Sequence, residues 1–218
     1  MHHPRRLSSD DAPVSAYKEL TILPQPLAPD ALPVGQLVSK SSKFNPPTLE
    51  DRDYDDVGSR WYKDVIVFDS KSGRFLQSLG ATHFIKKPED GNEAGTIEAP
   101  EQYVRLLKDP SASLKKALES DEAKQWLKEN PEAGFVVGAR IVTNASYRRA
   151  GLIDRGNDNW EVVREVSGFS TDGKRRDSGL EVLTNSKHDV VGVSVRKILA
   201  QGGGEATLGE ELDTSYWN

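Results

Sequence analysis

Few residues of this chain could bind a metal or act in catalysis. The sequence has no cysteine and four histidines, of which only His83 and His188 lie away from the N-terminus. Neither has a second ligand at metal-binding spacing. His188 and the adjacent Asp189 would point to opposite faces of a strand, so they could not act on one substrate together. We therefore expect the protein not to be an enzyme and to need neither a metal nor a cofactor.

Two patterns come close to ligand-binding motifs. The acidic run at residues 51–55 matches the first ligands of a calcium loop, but the sixth position is Asp56 instead of Gly and the twelfth is Tyr62 instead of Glu. We expect residues 50–56 to be solvated. The glycines at 202–204 do not open a helix after a strand, so they predict a flexible linker and not a phosphate-binding loop.

The charge balance argues against nucleic-acid binding. The chain has 34 acidic and 29 basic residues, and the part after residue 200 has four acids and no base. The body therefore carries 29 bases against 30 acids, without the basic excess that phosphate contacts require. No run of about 18 apolar residues occurs and no apolar stretch follows the first basic residues, so we expect neither a membrane-spanning helix nor a signal peptide.

Small basic clusters are the remaining candidates for a binding function. Several fall beside apolar strand ends, where each base could contribute about 1 kcal/mol to contact with anionic lipid headgroups. The densest group lies in the charged excursion between residues 145 and 189. The candidate lipid-binding residues are Lys40, Lys43, Lys86, Lys87, Arg148, Arg149, Lys174, Arg175 and Arg176.

Apolar periodicity predicts the elements that position these clusters. Residues 135–142 are apolar on both faces apart from Arg140, as expected for a central strand. Residues 190–199 predict a second strand by their alternation. Residues 64–68 and 74–79 flank a glycine-containing loop and predict a hairpin.

Helices are predicted in the middle of the chain. Residues 100–109 predict a short helix, because their apolar residues recur at spacings of three and four. Two further helices follow, capped by Ser111 and Ser120. Residues 160–167 and 180–184 predict more strands. The inferred fold class is α+β, with a twisted, mainly antiparallel sheet and helices inserted in the middle of the sequence.

The length predicts one domain, at residues 1–200. Its first 60 residues are rich in proline and loosely structured, with short pieces at 16–23 and 32–38 that could dock on a core. Residues 201–218 form a glycine-rich acidic tail, which we expect to be disordered.

Three stretches in this order suggest a known family. Residues 100–151 read PEQYVRLLKDPSASLKKALESDEAKQWLKENPEAGFVVGARIVTNASYRRAG, residues 180–200 read LEVLTNSKHDVVGVSVRKILA, and an early run at 34–38 reads VGQLV. They resemble the helical linker, core strand, closing strand and early strand of the pore-forming N-terminal domain of gasdermins. The likeness is greatest to the short gasdermin-like cell-death regulators of fungi, and it covers residues 99–200 most fully.

The resemblance implies a function and a location. It implies a cytoplasmic protein that moves to the plasma membrane, binds acidic phospholipids and forms oligomers with itself or with a related variant. Two segments, at about residues 64–98 and 144–184, would then convert into membrane-spanning β-hairpins and open a pore that causes programmed cell death. The chain ends about 18 residues after its last predicted strand, so we expect control by a partner protein and not by an inhibitory C-terminal domain.

Two other hypotheses stay open. The first is a soluble protein-protein interaction module without membrane activity, whose proline-rich start docks partners. The second is an enzyme with a dispersed carboxylate site, and no motif in the sequence supports it. Leakage of dye from liposomes separates the pore-forming protein from the soluble module.

Overall fold

The computed structural model describes residues 5–6, 20–68, 75–78, 83–84, 93–156, 160–164, 187–200, 206–213 and 216. Its strands, in chain order, are β1 (Arg5–Arg6), β2 (Thr21–Leu27), β3 (Leu37–Val38), β4 (Lys43–Phe44), β5 (Tyr54–Phe68), β6 (Phe75–Ser78), β7 (His83–Phe84), β8 (Glu93–Leu107), β9 (Gly134–Thr143), β10 (Ser146–Asp154), β11 (Trp160–Arg164), β12 (His188–Ala200) and β13 (Ala206–Glu211). The α-helices within this part of the chain are α1 (Pro110–Ala117) and α2 (Asp121–Glu129), and a short 3-10 helix lies at Asp51–Asp53. The fold is α+β and dominated by an antiparallel sheet, as predicted.

Strand β9 is the centre of the sheet. All ten of its residues are buried, because β12 pairs with one edge, β8 and β3 share the other edge, and side chains cover both faces. The predicted strands at 135–142 and 190–199 are thereby confirmed, and so is the hairpin, in which β5 pairs with β6. Of the other predicted strands, residues 160–164 form β11, whereas 180–184 lie outside the described residues.

The predicted helix at 100–109 is wrong. These residues belong to β8, which pairs with β5 along its whole length and with β9 and β10 on its other edge. Their spacing of apolar residues fits a helical turn locally. Hydrogen bonds to long strands on both edges outweigh that local preference, as is common for strands whose partners lie far away in sequence.

The two helices connect β8 to β9 and pack on one face of the sheet. Asp109, and not the predicted Ser111, caps α1, because its carboxylate accepts a 2.9 Å hydrogen bond from the amide of Ala112. Ser120 caps α2 as predicted, through a 3.1 Å bond from the amide of Ala123. The buried Leu114 of α1 belongs to the main hydrophobic core, which also contains Phe135 of β9.

The expectation of a disordered tail is also wrong. Residues 206–211 of the expected disordered tail form β13 on the edge of β12, where the Arg196 guanidinium donates to the Gly209 carbonyl at 2.7 and 2.9 Å. Residues 50–56 include no buried residue, so the expected solvated stretch is confirmed. Asp53 forms a 2.6 Å ion pair with Lys116, and this hydrogen-bonded cation lowers the pKa of the Asp53 carboxyl.

The backbone is irregular at one level across neighbouring strands of the sheet. Trp61 of β5 lies opposite Pro100 of β8, between the paired residues on either side. On the other edge of β8, Asn144 separates β9 from β10. Trp61 has a φ of 60° and Asn144 a φ of 48°, values that are uncommon outside glycine, while Pro100 has no amide hydrogen for the ladder. We call the line through these three residues the transverse break.

The sheet curls around a second, smaller core. Strand β6, at the edge of β5, lies against β2, which is at the edge of β12. The strands between these edges enclose Tyr62, Ile66, Ile97, Ala99, Val142 and Val191. No helix within the described residues has the length and apolarity needed to cross a bilayer.

Candidate functional site

A charged cluster is buried inside the curled sheet. Arg140 of β9 is 6% exposed, and Asp64 of β5 is 1% exposed. Nη1 of Arg140 donates a 3.0 Å hydrogen bond to the Tyr62 hydroxyl and lies 3.4 Å from Oδ2 of Asp64. The Tyr62 hydroxyl donates a 2.7 Å bond to the same carboxylate oxygen. Each charge thus has an opposite charge and a hydrogen-bond partner, which the burial of ions requires.

The environment keeps the Tyr62 hydroxyl protonated. Burial raises the pKa of Tyr62, and the nearby carboxylate of Asp64 raises it further. The protonated hydroxyl therefore serves as a donor to Asp64 and an acceptor from Arg140 at the same time. The Arg140 guanidinium also lies 5.8 Å from the centre of the Tyr62 ring, a distance at which a cation is attracted to the aromatic face.

A second buried contact joins β10 to β12. The Tyr147 hydroxyl donates a 3.0 Å hydrogen bond to the carboxylate of Asp189, which is 2% exposed. Burial raises the pKa of Tyr147, and Asp189 raises it further. The neighbouring His188 instead contacts Thr143, so it has a partner different from that of Asp189. We call Tyr62, Asp64, Arg140, Tyr147 and Asp189 the inner polar cluster.

The predicted lipid-binding residues Lys40 and Lys43 lie in the β3–β4 hairpin, whose strand β3 is buried. The hairpin is fixed to the end of α2 because Asn130 accepts hydrogen bonds from the hydroxyls of Ser39 and Ser42, at 2.7 and 3.2 Å. Nζ of Lys43 donates to the Ala31 carbonyl at 3.0 Å. Nζ of Lys40 lies 5.4 Å from the ring centre of Tyr216, near the C-terminus. Both lysines remain exposed.

The structure does not gather the predicted basic residues into one surface. Arg148 is exposed, and both it and Arg149 lie in strand β10. The β3–β4 hairpin adjoins one end of β9, whereas β10 continues from the other end, so about 40 Å of strand separates Lys43 from Arg148. The remaining predicted residues, which are Lys86, Lys87, Lys174, Arg175 and Arg176, lie outside the described residues.

A cavity of about 410 Å³ lies between the sheet and the proline-rich start of the chain. Its walls include Tyr54 and Tyr103, and burial raises the pKa of both phenols. Arg105 lies 4.2 Å above the centre of the Tyr54 ring. Its nitrogens are 3.5 Å from Asp51 and 3.7 Å from Asp56. The volume is in the range of small-molecule pockets.

The sequence did not reveal most of these residues. Arg140 is the one charged residue in an apolar run. Its position indicates a partner, because a buried charge requires one. Its partners Tyr62 and Asp64 lie more than 70 residues away, and nothing in their local sequence pairs them with it. Within the described residues, no group of three potential ligands is placed to hold a metal ion. Comparison with protein families and with curated proteins finds no match for this chain.

Proposed function

We propose that this protein is a gasdermin-like pore-forming cell-death effector that binds acidic phospholipids, oligomerises and inserts two β-hairpins into the membrane. The transverse break carries the proposal. The segments expected to convert, 64–98 and 144–184, lie on one side of it as far as they are described. The helices and the main core lie on the other side. We infer that a sheet whose backbone is irregular at one level across neighbouring strands can separate at that level.

The inner polar cluster ties each segment to the body of the protein. Asp64, in the first segment, is bound to Arg140 of the central strand. Tyr147, in the second, is bound to Asp189 of β12. Conversion would break both contacts. The free-energy cost of exposing the separated partners to water is small compared with the cost of leaving one partner buried without the other. In the proposed soluble state, the inner polar cluster therefore holds the two segments to the body through a few specific bonds.

The length of the first segment sets a requirement. A membrane-spanning β-strand needs about 9 to 11 residues. Beyond the transverse break β5 supplies seven residues, Tyr62 to Phe68, and β8 supplies seven, Glu93 to Ala99. In the proposed pore the first hairpin must therefore also recruit residues between 69 and 92.

Lys40 and Lys43 support membrane contact before insertion. They are exposed at the end of the molecule away from the converting segments. There they could attract anionic headgroups while the sheet is still closed. The proposed site of action is the plasma membrane, reached from the cytoplasm, and the proposed partners are further copies or a related variant.

The test is dye release from liposomes that contain cardiolipin or phosphatidylserine, with the purified protein alone and with a variant partner. Release from acidic liposomes, but not from phosphatidylcholine liposomes, supports the proposal. Rings of protein on the liposomes in electron micrographs would support the oligomeric pore. Absence of both binding and release under all these conditions would refute it.

One observation favours the soluble interaction module as a second candidate. Trp61 is 68% exposed, and tryptophan is enriched among the residues that dominate protein-protein interfaces. A protein that associates through Trp61 but neither binds nor permeabilises acidic liposomes would be the interaction module.

A further inference from the structure

The cavity lies between the sheet and the proline-rich chain that crosses over it. Its floor follows the strand register, in which Ile141 of β9 stands between Tyr103 of β8 and Val190 of β12. In the next row Arg105 lies opposite Ala139, whose side chain is small. The roof is formed by Pro29, Leu32, Pro33, Val34 and Leu49. The space therefore lies between two layers of the folded chain.

The floor and the roof of the cavity are mainly apolar. Leu32, Val34, Ala139, Ile141 and Val190 are buried hydrophobic residues that line it. The two prolines of the roof have no amide hydrogen to donate. The cavity volume of about 410 Å³ is well above the volume of about 150 Å³ that accepts benzene in an apolar cavity. These walls favour an occupant that has an apolar body larger than a single ring.

Two hydrogen-bond donors line the cavity without an acceptor. Among the residues that the structure describes, neither the Arg105 guanidinium nor the Tyr103 hydroxyl makes a hydrogen bond. Arg105 lies 3.5 Å from Asp51 and 3.7 Å from Asp56, whereas charge-assisted hydrogen bonds measure about 2.7–2.9 Å. The two donors are two residues apart on β8 and share a face of the sheet. An occupant that displaces water from them must offer an acceptor, because the lost hydrogen bonds would otherwise weaken its binding.

The charges around Arg105 favour an occupant without a net charge. A carboxylate would compete with Asp51 and Asp56 for the same cation and would be repelled by both. An ammonium group has only donors, so it cannot bond to the guanidinium. Arg105 also already lies 4.2 Å from the centre of the Tyr54 ring, where such a cation could otherwise bind. A carbonyl oxygen accepts two hydrogen bonds and has no charge.

We propose that this cavity binds a neutral small molecule that has an apolar body and a carbonyl oxygen at one end. The body would lie on Ile141 and Val190, and the oxygen would accept hydrogen bonds from Tyr103 and Arg105. All the lining residues lie outside the two segments proposed to convert, 64–98 and 144–184. The proposal therefore does not depend on pore formation.

Fluorescence titration of the full chain with prodan tests the site. Prodan is a neutral naphthalene ketone whose emission shifts to shorter wavelength in apolar surroundings. We expect saturable binding of one prodan per chain, with a Kd below about 100 μM. Acetylnaphthalene, a neutral ketone, should displace prodan at least about 5-fold more effectively than naphthalene, naphthoate or naphthylmethylammonium. The absence of saturable binding, or equal displacement by any of these three, would overturn the proposal.

Substitutions test whether prodan binds in this cavity. Tyr103→Phe removes one donor with little change of shape and should weaken prodan binding about 3–10-fold. Ala139→Leu adds bulk to the floor and should weaken it further, with an unchanged circular dichroism spectrum as the check on folding. Tyr216→Phe removes a hydroxyl from a residue that does not line the cavity and should leave binding unchanged. Whether or not the Ala139→Leu chain folds, equal prodan affinities of the wild type and Tyr103→Phe would refute the proposed site.

Discussion

Arg140 donates a 3.0 Å hydrogen bond to the hydroxyl of Tyr62 across the width of strand β8. The two residues belong to β9 and β5, which both pair with β8 and not with each other. The bond therefore connects the central strand with the part of β5 beyond the transverse break. A contact of this kind couples the two halves of the sheet in a way that ladder hydrogen bonds between neighbouring strands do not.

Removing the cation of this contact should destabilise the protein strongly. Arg140→Met removes the guanidinium that lies 3.4 Å from the buried carboxylate of Asp64, and we expect a loss of about 3–5 kcal/mol in the free energy of unfolding. Lys128→Met, at an exposed position of α2, is the matched control and should change it by less than about 0.5 kcal/mol. Urea denaturation measures both.

A double variant separates the loss of the pair from the isolation of one charge. Arg140→Met combined with Asp64→Leu removes both ions and should recover much of the stability lost by Arg140→Met alone. If the double variant is as unstable as the sum of the two single variants, the ion pair does not act as a unit.

Stability should fall at alkaline pH. The pKa values of Tyr62 and Tyr147 are raised in the folded protein, whereas the same phenols titrate near 10 when unfolded. Above about pH 10 the unfolded chain loses these protons and the folded chain keeps them, so the free energy of unfolding decreases as the pH rises. Below pH 10 the contribution is fully present.

Urea denaturation between pH 8 and pH 11 measures this decrease. Tyr62→Phe should make the decline shallower, because one of the responsible protons is gone. An identical slope in the wild type and in Tyr62→Phe would show that Tyr62 does not keep its proton through this range.

Loosening the second segment should accelerate pore formation, if the proposed function holds. Tyr147→Phe removes the hydrogen bond to Asp189 with little change of shape, and we expect faster dye release from phosphatidylserine liposomes. Tyr54→Phe is the matched control, because it removes a 3.2 Å bond to the Val34 carbonyl on the other side of the transverse break. Equal acceleration by both variants would point to general destabilisation.

The β3–β4 hairpin should contribute to lipid binding. Replacing Lys40 and Lys43 by Glu is expected to weaken binding to anionic vesicles by at least about 2 kcal/mol, or about 30-fold, and to lower its sensitivity to salt. Replacing Lys124 and Lys128 of α2 by Glu makes the same change of net charge elsewhere. Vesicle co-sedimentation that finds the two double variants equally impaired would show that only net charge matters.

Replacing Lys174, Arg175 and Arg176 by Ala tests lipid binding by the charged excursion between residues 145 and 189. It should also weaken binding to anionic vesicles and reduce its dependence on salt. Unchanged binding would mean that the triplet is a solvated loop.

Alanine substitutions at two glycines with similar positive φ angles distinguish the effect of backbone strain from that of steric crowding. Gly35 has a φ of 93° and Gly156 a φ of 97°, so alanine is strained at both positions. A Cβ at Gly35 would collide with Leu49 and lie 3.0 Å from the Tyr54 hydroxyl, whereas at Gly156 it would meet nothing within 4 Å. Gly35→Ala should therefore cost about 1–3 kcal/mol more than Gly156→Ala in urea denaturation. Equal losses would show that the loop around Leu49 yields.

Local patterns in the sequence determined the parts of the fold whose signals are local. The apolar run that contains Phe135 predicts a strand buried on both faces, because only such a strand can have so little polar surface. The cap at Ser120 predicts the start of α2, because its hydroxyl has to satisfy an amide three residues away. These inferences need no knowledge of distant neighbours.

Tertiary structure alone decided what lies opposite what. Residues 100–107 have a helical spacing, yet they form a strand because β5 and β9 present long edges to them. Nothing in the local sequence marks Trp61, Pro100 and Asn144 as related. Only the strand register places them on one line across the sheet. Arg140 revealed that a partner must exist, but the register that brings Tyr62 and Asp64 to it depends on pairing across more than 70 residues. Such pairing depends on many contacts between segments that are distant in the sequence. It cannot therefore be predicted from a local pattern of residues.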